Sequence, residues 1–520
     1  MNNVLAPGGM PGLATLLAGN AQQFGDHIAL RIDEDTITWR DLAELVQRLA
    51  QVLGPSVQAG ERVGLWMHNC VEWAALFIAI NLLGGVSVPI STRLTPEELE
   101  VIMRDAGAHV LLTSKSYRGR HYFEQAADRL AGAASGVLVL APPPRGVGQW
   151  GRAGTLSGPA KDGNGLEAGL LCIQYTSGTT STPKGVLLTT EAYLRTAAYV
   201  ARCQRLTPSS RFISAGPFFH CSGSMHALTT CLWAGCTLTS MSIWNPEHFL
   251  DLVQRHRCDV AHMIYLRDVL ALKDRHAREK LQTLQIAHDL GTREYLLRLH
   301  DELGIPGISN IYGMTETCGQ FTMWYPDDPL ELRISSNGRP QPGNHLRICD
   351  PASGEPLGPG AIGEIQMRGP TVTRGYFDRP GADAEAFTAD GWLRSGDIGA
   401  LSEQGVVTYM ARTKEIIRCG GENFAPAEVE HVMHDHCRLG QVCVLGLADE
   451  RLGEVPAAVV LDTLVVNWDK VYSEMRQRLA GFKVPKAIYA TAAFPTTMTN
   501  KVQRSTLKEW IDHGKLKRLF

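Results

Sequence analysis

The chain has 520 residues, of which 44% are hydrophobic and 20% are charged, and its formal net charge is −3. This length exceeds what a single hydrophobic core usually holds, so at least two domains are expected. The nearly neutral charge gives no indication of a nucleic-acid partner, and no apolar run is long enough to span a membrane.

Strand-like apolar runs alternate with helix-like amphipathic segments from about residue 10 to residue 410. An early example is the strand-like run 62–66, the helical segment 71–83 and the strand-like run 86–90. The helical segment holds the longest apolar run, which is too short for a bilayer and predicts a buried helix. The Pro-, Gly- and Ala-rich residues 141–165 predict a loop. The alternation predicts an α/β fold, with packed mixed and parallel sheets and helices in a large N-terminal domain.

The N-terminal residues and the cysteines give two further expectations. The chain begins without a basic segment followed by an apolar one, so we expect no secretion signal and a cytoplasmic location. The 12 cysteines show no C-x-x-C pairs, and the nearest two, Cys231 and Cys236, lack a histidine at zinc-binding spacing. Free buried thiols and no structural metal site are therefore expected.

Residues 175–185 form the most informative stretch, because six serine and threonine side chains, two glycines and one lysine lie within it. The strand-like run 169–174 precedes this loop, and a second short run, 186–188, follows it. Backbone N–H groups, hydroxyls and the Lys184 ammonium in one loop suit the phosphates of a nucleotide. The spacing of a Walker A motif is absent, so an ordinary polar surface loop is the alternative.

The chain changes character in its last third. Short apolar runs broken by Gly, Pro and Asp predict a β-rich subdomain over residues 338–410. Pro426, closely followed by Glu428, predicts the start of a helix. About 100 residues remain after the β-rich part, which is a normal domain size. We therefore predict an N-terminal domain over 1–412 and a small α+β C-terminal domain over 413–520.

Four further stretches follow the loop in order: Tyr312-Gly-Met-Thr-Glu316, Gly391-Trp-Leu-Arg-Ser-Gly-Asp397, Ala411-Arg-Thr-Lys-Glu415 and Pro495-Thr-Thr-Met-Thr-Asn-Lys-Val-Gln-Arg504. With the loop, they resemble the motifs of the adenylate-forming superfamily, which includes acyl-CoA synthetases, carrier-loading adenylation domains and luciferases. The resemblance covers nearly the whole chain. The chain is similar in particular to crotonobetaine/carnitine-CoA ligases, which also carry serine at the position of Ser181, where the superfamily usually has glycine.

The resemblance implies roles for the first two motifs. The loop would hold the phosphates of ATP through Thr176, Ser177, Gly178, Thr179, Thr180 and Lys184. Glu316 would bind Mg²⁺, Thr315 would face the phosphates and Tyr312 would stack near adenine. Taken alone, Glu316 suits a helix-capping acid better, and it is the phosphate loop that favours the functional role. Further nucleotide contacts are implied for Asp289, Leu290, Gly313 and Met314.

The next two motifs would complete the nucleotide site and provide a hinge. Asp397 would accept hydrogen bonds from both ribose hydroxyls, with a turn aspartate as the alternative. Arg412 would contact the nucleotide. Lys414 would be the pivot about which a mobile C-terminal domain rotates, with a solvated surface lysine as the alternative.

The resemblance also implies residues for the thioester step and for phosphoryl chemistry. The glycines Gly420 and Gly421 would line the tunnel for the pantetheine arm of CoA. Lys501 would bridge the attacking carboxylate and the α-phosphate, where negative charge accumulates. Asn500 stands where the superfamily has glycine, and asparagine is the best substitute if positive φ is required.

His220 lies in a stretch, Pro217–Gly223, that resembles the junction of the acyl pocket and the thiol tunnel. A satisfied core histidine is the alternative. Asp289 could contact a polar acyl group or cap a helix over 292–303, and the cap is favoured because Asp and Thr often begin helices. The candidate residues of the acyl pocket are His220, Tyr265, Asp289, Leu290 and Cys318.

The resemblance implies an AMP-forming acyl-CoA ligase that uses ATP, Mg²⁺ and coenzyme A to activate a carboxylic acid and transfer its acyl group. Three alternatives remain open. The enzyme could only convert a preformed acyl-adenylate and CoA to the thioester. Ser181, Asn500 and residues 287–292, which replace the glycine-rich adenine loop of the superfamily, all depart from its pattern in elements that serve adenylation. The enzyme could load a carrier protein, or the chain could be a non-enzymatic adenylate-binding protein. The sequence allows a homodimer without specifying one.

Overall fold

The computed structural model describes residues 10–131, 136–155, 169–176, 183–262, 266–419, 422–437, 439–462, 466–496 and 502–520. The chain divides into two compact units. Unit 1 consists of Met1–His345 and Met367–Leu393, and unit 2 consists of Leu346–Gln366 and Arg394–Phe520. The division into domains 1–412 and 413–520 stays a prediction.

Unit 1 begins with alternating helices and strands: α1 (Leu13–Phe24), β1 (Ile28–Ile32), β2 (Asp35–Thr38), α2 (Trp39–Leu53), β3 (Arg62–Trp66), α3 (Val71–Leu82), β4 (Val86–Pro89), α4 (Pro96–Asp105), β5 (Val110–Thr113), α5 (Tyr122–Leu130), β6 (Leu138–Ala141) and β7 (Gly151–Ala153). It continues with β8 (Leu170–Thr176), β9 (Lys184–Thr189), α6 (Thr190–Cys203), β10 (Arg211–Ile213), α7 (Cys221–Gly223), α8 (Thr230–Ala234), β11 (Thr237–Ser240), α9 (Pro246–His256), β12 (Val260–His262), α10 (Leu266–Ala271), α11 (Ala277–Lys280), β13 (Ile286–His288), α12 (Arg293–Asp301) and β14 (Gly307–Ser309).

The remaining elements follow in chain order: β15 (Thr322–Met323), α13 (Leu330–Ser335), β16 (Arg339–Pro340), β17 (His345–Cys349), β18 (Ile362–Arg368), α14 (Pro380–Ala386), β19 (Leu393–Leu401), β20 (Val407–Arg412), β21 (Ile417–Cys419), β22 (Glu422–Phe424), α15 (Pro426–Asp435), β23 (Val442–Asp449), β24 (Gly453–Leu461), α16 (Trp468–Arg478), β25 (Ala487–Thr491), α17 (Arg504–Asp512) and β26 (Lys517–Arg518).

Two seven-stranded sheets form the framework of unit 1. Sheet A has the order β14-β13-β12-β10-β11-β1-β2, and all its pairs are parallel except the edge pair of β1 with β2. Sheet B has the order β7-β6-β5-β3-β4-β8-β9, with antiparallel strands only at its two edges. The predicted α/β fold with largely parallel sheets is confirmed.

The buried helix α3 packs into a core shared by both sheets. One continuous cluster of buried apolar side chains joins α3 to Leu30 of sheet A and Val63 of sheet B. Within α3, the Trp73 and Phe77 rings stack with centroids 5.2 Å apart. The prediction of a buried helix here is confirmed. In the described part of the chain, no helix combines the length and apolarity that crossing a membrane requires.

Strand β7 lies within the stretch 141–165 that was predicted to be a loop, and it pairs antiparallel with β6. The loop prediction is therefore wrong for this short piece. Its sequence, Gly151-Arg-Ala153, has no strand-forming pattern of its own. The strand forms because pairing with the edge of sheet B supplies its backbone hydrogen bonds.

The buried side chain of Asn69, just after β3, ties sheet B to two strands of sheet A. Its Nδ2 donates to the carbonyls of Gly216 (3.0 Å) and Met241 (3.2 Å), which follow β10 and β11. Its Oδ1 accepts from the backbone N–H of Phe218 at 2.7 Å. One amide thus satisfies three backbone groups at the ends of neighbouring strands.

We predict that Asn69→Ala lowers the free energy of unfolding by about 3 kcal/mol, because three buried backbone groups lose their partner. Urea unfolding of the purified variant measures this. The matched control is Asn245→Ala, which removes only the exposed N-cap of α9 and should cost about 1 kcal/mol. Equal losses in the two variants would contradict the role of Asn69.

Unit 2 carries two sheets. One has four strands in the order β17-β18-β19-β20, as expected for the β-rich subdomain, and the other has the order β22-β21-β24-β25-β26 with β23 also paired to β24. Helix α15 starts at Pro426 as predicted, and the Glu428 carboxylate accepts from the backbone N–H of Ala425 at 3.1 Å. A separate C-terminal set of helices and strands is confirmed.

Candidate active site

The carboxyl edge of sheet A collects three of the predicted segments of unit 1. His220 follows β10, Asp289 and Leu290 follow β13, and the stretch from Tyr312 to Glu316 follows β14. Neighbouring parallel strands end at the same edge, which is where open α/β sheets bind their ligands. Residues more than 90 positions apart in the sequence therefore share one edge of the sheet.

The predicted phosphate loop joins two strands at one edge of sheet B. Thr176 ends β8, Lys184 begins β9, and the two residues are paired across this antiparallel hairpin. The Lys184 ammonium lies over the ring of Tyr376, 5.4 Å from its centroid. The other predicted loop residues lie outside the described residues: Ser177, Gly178, Thr179, Thr180 and Ser181.

The segment Thr373–Phe377 connects the hairpin to Glu316. The backbone N–H of Thr373 donates to the Glu316 carbonyl at 2.6 Å, and the Tyr376 hydroxyl donates to Glu316 Oε1 at 2.8 Å. On its other side, the segment pairs with β9, since Leu187 N–H donates to the Gly375 carbonyl at 3.1 Å. Tyr376 therefore lies between the predicted phosphate-binding cation and the predicted magnesium ligand.

Gly375 shapes this segment. It has a φ of +138°, and a Cβ at this position would lie 2.7 Å from Oδ1 of Asp383. The same oxygen accepts from the Tyr376 N–H at 2.8 Å. Only glycine fits this backbone beside the carboxylate, and the turn it allows aims the Tyr376 side chain at Glu316. Sequence reasoning missed both Tyr376 and Thr373, because neither belongs to a periodic or motif-like stretch.

Glu316 is 8% exposed and offers a hard carboxylate oxygen. The Tyr376 hydroxyl donates to Oε1 of this carboxylate and does not contact Oε2 through that hydrogen bond. Among the described residues, no group of three or more His, Cys, Asp or Glu side chains is arranged to hold an ion. Mg²⁺ usually keeps several waters and binds one or two carboxylates plus substrate phosphates. The residues present fit that mode of binding.

His220 is the N-cap of the short helix α7 and is partly buried. Its Nδ1 accepts from the backbone N–H of Ser222 at 3.1 Å, so the proton of the neutral ring lies on Nε2. The preceding carbonyl, of Phe219, accepts from Nε2 of Gln174 at 2.9 Å. The ring is therefore oriented by local hydrogen bonds, and its predicted role at the pocket–tunnel junction stays a prediction.

Asp289 does not cap α12, so that expectation is wrong. The helix runs from Arg293 to Asp301, and its N-cap is Thr292, whose side chain accepts from the N–H of Tyr295. Asp289 instead accepts from Leu266 N–H (3.0 Å) and Tyr295 hydroxyl (2.7 Å) on Oδ2. The carboxylate thereby joins α10 to α12. A local sequence pattern could not distinguish this long-range role from a cap.

Burial raises the pKa of Asp289 to about 6 from an ordinary 3.8, although hydrogen bonds from Tyr295, Leu290 and Leu266 oppose the rise. The folded protein therefore binds this proton more tightly than the unfolded chain. The stabilising contribution of Asp289 is complete below its unfolded pKa and is lost as pH rises through about 6.

We predict that Asp289→Asn gains stability relative to the wild-type protein between about pH 4.5 and about pH 7, by about 2 kcal/mol. Unfolding midpoints of both proteins across this range measure the difference. The control is Thr292→Ala, which removes the N-cap of α12 and no titrating group, so its difference from wild type should be similar at every pH. A pH-independent difference for Asp289→Asn would contradict the prediction.

The remaining predicted residues of unit 1 occupy defined positions. Tyr312 is 6% exposed, and its carbonyl accepts from Phe321 and Thr322 N–H groups at 2.8 and 3.0 Å. The stretch Thr315–Thr317 forms a single 3₁₀ turn. Of the acyl-pocket candidates, Cys318 is buried, Leu290 is 37% exposed and Tyr265 lies outside the described residues. The backbone turns at Gly313 and Met314, where Met314 N–H donates to the Thr317 hydroxyl.

Unit 2 carries the predicted ribose ligand. Asp397 lies in β19, not in a turn, and faces Arg412 of β20 across the antiparallel pair. The Arg412 Nε lies 2.8 Å from Asp397 Oδ1, within ion-pair distance. Asp397 is buried, whereas the Arg412 side chain is 45% exposed. The strands thus hold a charged pair of two predicted nucleotide-binding residues.

The predicted hinge stretch is anchored by Arg504, the last residue of the fifth motif. Its guanidinium donates to Glu415 at 2.9 Å, to Glu430 at 2.7 Å and to the carbonyl of Val444 at 3.2 Å. Lys414 lies one residue earlier, in the turn Thr413–Glu415. The predicted residues Gly420, Gly421, Asn500 and Lys501 lie outside the described residues.

Comparison with known proteins gives consistent matches along the chain. A family model described as AMP-binding enzyme matches residues 17–377, and one described as AMP-binding enzyme C-terminal domain matches residues 428–501. A 3-[(3aS,4S,7aS)-7a-methyl-1,5-dioxo-octahydro-1H-inden-4-yl]propanoyl:CoA ligase of Mycobacterium tuberculosis is 33% identical over 511 residues, covering 94% of this chain and 96% of the relative. A feruloyl-CoA synthase of Amycolatopsis sp is 31% identical over 495 residues, covering 92% of this chain and 95% of the relative.

A solved structure is also similar over nearly the full length. It is the O-succinylbenzoate coenzyme A synthetase of Bacillus subtilis in complex with ATP and magnesium ion. The TM-score is 0.78 at 27% sequence identity, and the match covers 95% of this chain and 99% of that structure.

Proposed function

The chain belongs to the AMP-binding enzyme family, and we propose that the residues of its candidate site serve one reaction, the joining of a carboxylic acid to coenzyme A. The chain is an AMP-forming acyl-CoA ligase, and its relatives are named as a CoA ligase and a feruloyl-CoA synthase. ATP activates the acid as an acyl-adenylate with release of pyrophosphate, and the CoA thiol then displaces AMP. Its particular likeness to crotonobetaine/carnitine-CoA ligases stays a prediction.

The single observation that carries the assignment of residues is the cluster of Lys184, Tyr376 and Glu316. Tyr376 contacts both the Lys184 ammonium and the Glu316 carboxylate, and Lys184 closely follows the hydroxyl-rich stretch of the sequence. We assign Lys184 to the phosphates of ATP and Glu316 to the Mg²⁺ that accompanies them. When bound, Mg²⁺ would neutralise charge on the phosphate oxygens. Tyr376 holds the carboxylate in place by its hydrogen bond.

For unit 2, we assign Asp397 to the ribose hydroxyls and Arg412 to the nucleotide. The ion pair between them supports this assignment, because it fixes the orientation of the carboxylate from one side. Lys414 is assigned as the pivot between the two half-reactions, anchored next to the Arg504–Glu415 ion pair. Lys501 is assigned to adenylation, and the glycines Gly420 and Gly421 to the path of the pantetheine arm.

No protein nucleophile is required, since the CoA thiol and the substrate carboxylate are the attacking groups. All 12 cysteines lie among the described residues, none of them forms a disulfide, and most are buried. Burial raises the pKa of the Cys172 and Cys203 thiols to about 12, so these groups stay protonated near neutral pH. We therefore assign no cysteine a catalytic role. Thiols outside any disulfide also support a cytoplasmic location, which we propose.

The acyl group is proposed to contain a ring system. The relatives and the similar structure are named for acids of this kind: a dioxo-octahydroindenyl propanoate, a ferulate and an O-succinylbenzoate. A homodimer remains a prediction from the sequence.

Two assays test the proposal on the full chain. ATP–pyrophosphate exchange over a panel of ring-bearing and aliphatic acids measures adenylation, and thioester formation from a synthetic acyl-AMP and CoA measures the second step alone. We expect activity in both. Thioester formation without exchange for any acid would favour the enzyme that uses only preformed adenylates. Exchange without transfer to CoA, but with transfer to a carrier protein, would favour the carrier-loading alternative.

A further inference from the structure

Three fully buried histidines meet at the carboxyl edge of sheet A. His262 and His288 are the last residues of β12 and β13 and are paired across these strands. His226 comes from the π-helical turn Ser224–Thr229. The His226 and His262 ring centroids are 4.6 Å apart, and those of His262 and His288 are 5.4 Å apart. We call these three residues the histidine cluster.

The histidine cluster contains several buried polar atoms without a partner among the described residues. They are Nδ1 and Nε2 of His226, Nε2 of His262 and Nε2 of His288. The cluster is otherwise well oriented: Gln204 Nε2 lies 3.1 Å from His262 Nδ1, and the Ser309 hydroxyl lies 2.5 Å from His288 Nδ1. Buried polar atoms in proteins nearly always have partners. The unpaired atoms at this ligand-binding edge therefore need a partner that the described chain does not supply, either a bound water or a ligand oxygen.

All three rings are neutral near pH 7. Burial lowers the pKa of His226, and the neighbouring His262 and His220 act in the same direction. The nearby Cys318 backbone opposes them, although neither ring nitrogen meets the geometry of a hydrogen bond with the described residues. Burial likewise lowers the pKa of His262 and brings that of His288 to about 3, where Arg333 adds to the effect. A neutral imidazole offers one donor and one acceptor. The cluster thus suits an uncharged oxygen group and does not suit a carboxylate.

A metal ion does not suit this cluster as well as an oxygen group does. Among the described residues, no three histidine, cysteine or acidic side chains are arranged to hold an ion. In the arrangement seen, Gln204 donates to His262 Nδ1, so His262 carries its proton on Nε2 and presents a donor.

The cluster also adjoins the proposed active site. A Cβ at Gly319 would lie 2.8 Å from Nε2 of His226, and Gly319 has a φ of +82°. This glycine comes three residues after Glu316, and Asp289 directly follows His288. Asp289 and Gly319 belong to the segments that follow β13 and β14 and carry the predicted site residues. The absence of a side chain at Gly319 brings the backbone of the Glu316 segment against the His226 ring.

We propose that His226, His262 and His288 form the hydrogen-bonding end of the acyl pocket and select acids whose ring carries a ketone or hydroxyl oxygen. This proposal rests on the acyl-CoA ligase function. A site built to hydrogen-bond its substrate rejects the analogue that lacks the polar group, because its own buried groups are then left unpaired. The histidines act as specificity-determining residues and take no part in the chemistry at the carboxylate.

Matched pairs of acids test the proposal with the intact enzyme. One pair is 3-(4-oxocyclohexyl)propanoic acid and 3-cyclohexylpropanoic acid, and a larger pair is the dioxo-octahydroindenyl propanoic acid and its fully deoxygenated analogue. We expect kcat/KM for thioester formation to favour the oxygen-bearing member of at least one pair by about 100-fold. If no oxygen-bearing acid exceeds its hydrocarbon partner, the proposal is overturned. Turnover of the hydrocarbon acids in that case leaves the ligase function standing, whereas no turnover of any panel acid overturns both.

Variants separate a specificity role from a structural one. His226→Leu should reduce the preference to about 3-fold or less, while its thermal midpoint stays equal to or above that of the wild type, because an unpaired buried ring is removed. His226→Gln should restore part of the preference, since it keeps a donor and an acceptor. His109→Leu is the control, because His109 also has a buried unpaired Nδ1 but lies before β5 in sheet B. An unchanged preference in His226→Leu, or an equal change in His109→Leu, overturns the proposal.

Discussion

Glu316→Gln is expected to lower the rate of ATP–pyrophosphate exchange by about 100-fold or more, while thioester formation from a synthetic acyl-AMP stays within about 3-fold of wild type. The amide keeps the shape of the side chain and can still accept the Tyr376 hydrogen bond, which is 2.8 Å long in the wild type. It loses the negative charge that we assign to Mg²⁺ beside the departing pyrophosphate. The second half-reaction involves no pyrophosphate, so it should be spared.

Two controls sharpen this test. Tyr376→Phe keeps the carboxylate and removes only its hydroxyl partner, so exchange should fall by about 10-fold. Glu331→Gln changes an exposed carboxylate that pairs with Arg293 and should leave both half-reactions unchanged. The Mg²⁺ concentration that gives half-maximal exchange should rise for Glu316→Gln and stay unchanged for Glu331→Gln. An equal loss in both half-reactions would show that Glu316 only supports the fold.

Local patterns predicted most of the framework. The strand-like run 62–66 coincides with β3, and the helical segment 71–83 differs from α3 by one residue at its end. Both are nearly continuous apolar runs whose residues are mostly buried, and their different lengths separate the strand from the helix. The burial of these residues stabilises both elements. Strand β7 departs from this rule, because its stability comes from its neighbour β6 and not from its own residues.

The site was predictable only where its chemistry lies within one motif. The Tyr376–Glu316 bond joins residues 60 positions apart, and Tyr376 lies in no recognisable pattern. The histidine cluster is likewise formed by residues that are distant in the sequence. The register between β12 and β13 pairs His262 with His288, and a helical turn adds His226. Such contacts depend on the register of the strands and on packing, which no local stretch of sequence specifies.

Lys501→Ala is expected to lower adenylation by about 100- to 1000-fold and to leave thioester formation from acyl-AMP within about 3-fold of wild type. The assignment follows from the fifth motif, whose last residue, Arg504, is held by Glu415 and Glu430 within unit 2. In adenylation, a negative carboxylate approaches a negative α-phosphate, so a cation between them stabilises the transition state. In the second step a thiol attacks an uncharged acyl carbon, and this stabilisation is not needed.

Single-turnover measurements of each half-reaction test this split directly. Lys501→Arg keeps the charge with a different geometry and should recover adenylation only in part. Lys515→Ala removes an exposed lysine near the C-terminus and should change neither rate. Equal loss of both half-reactions in Lys501→Ala, with an unchanged thermal midpoint, would contradict the assignment. Unchanged adenylation in Lys501→Ala would mean that another residue supplies the cation for this step. Lys184 is then the next residue to test, because it lies beside the Tyr376–Glu316 pair.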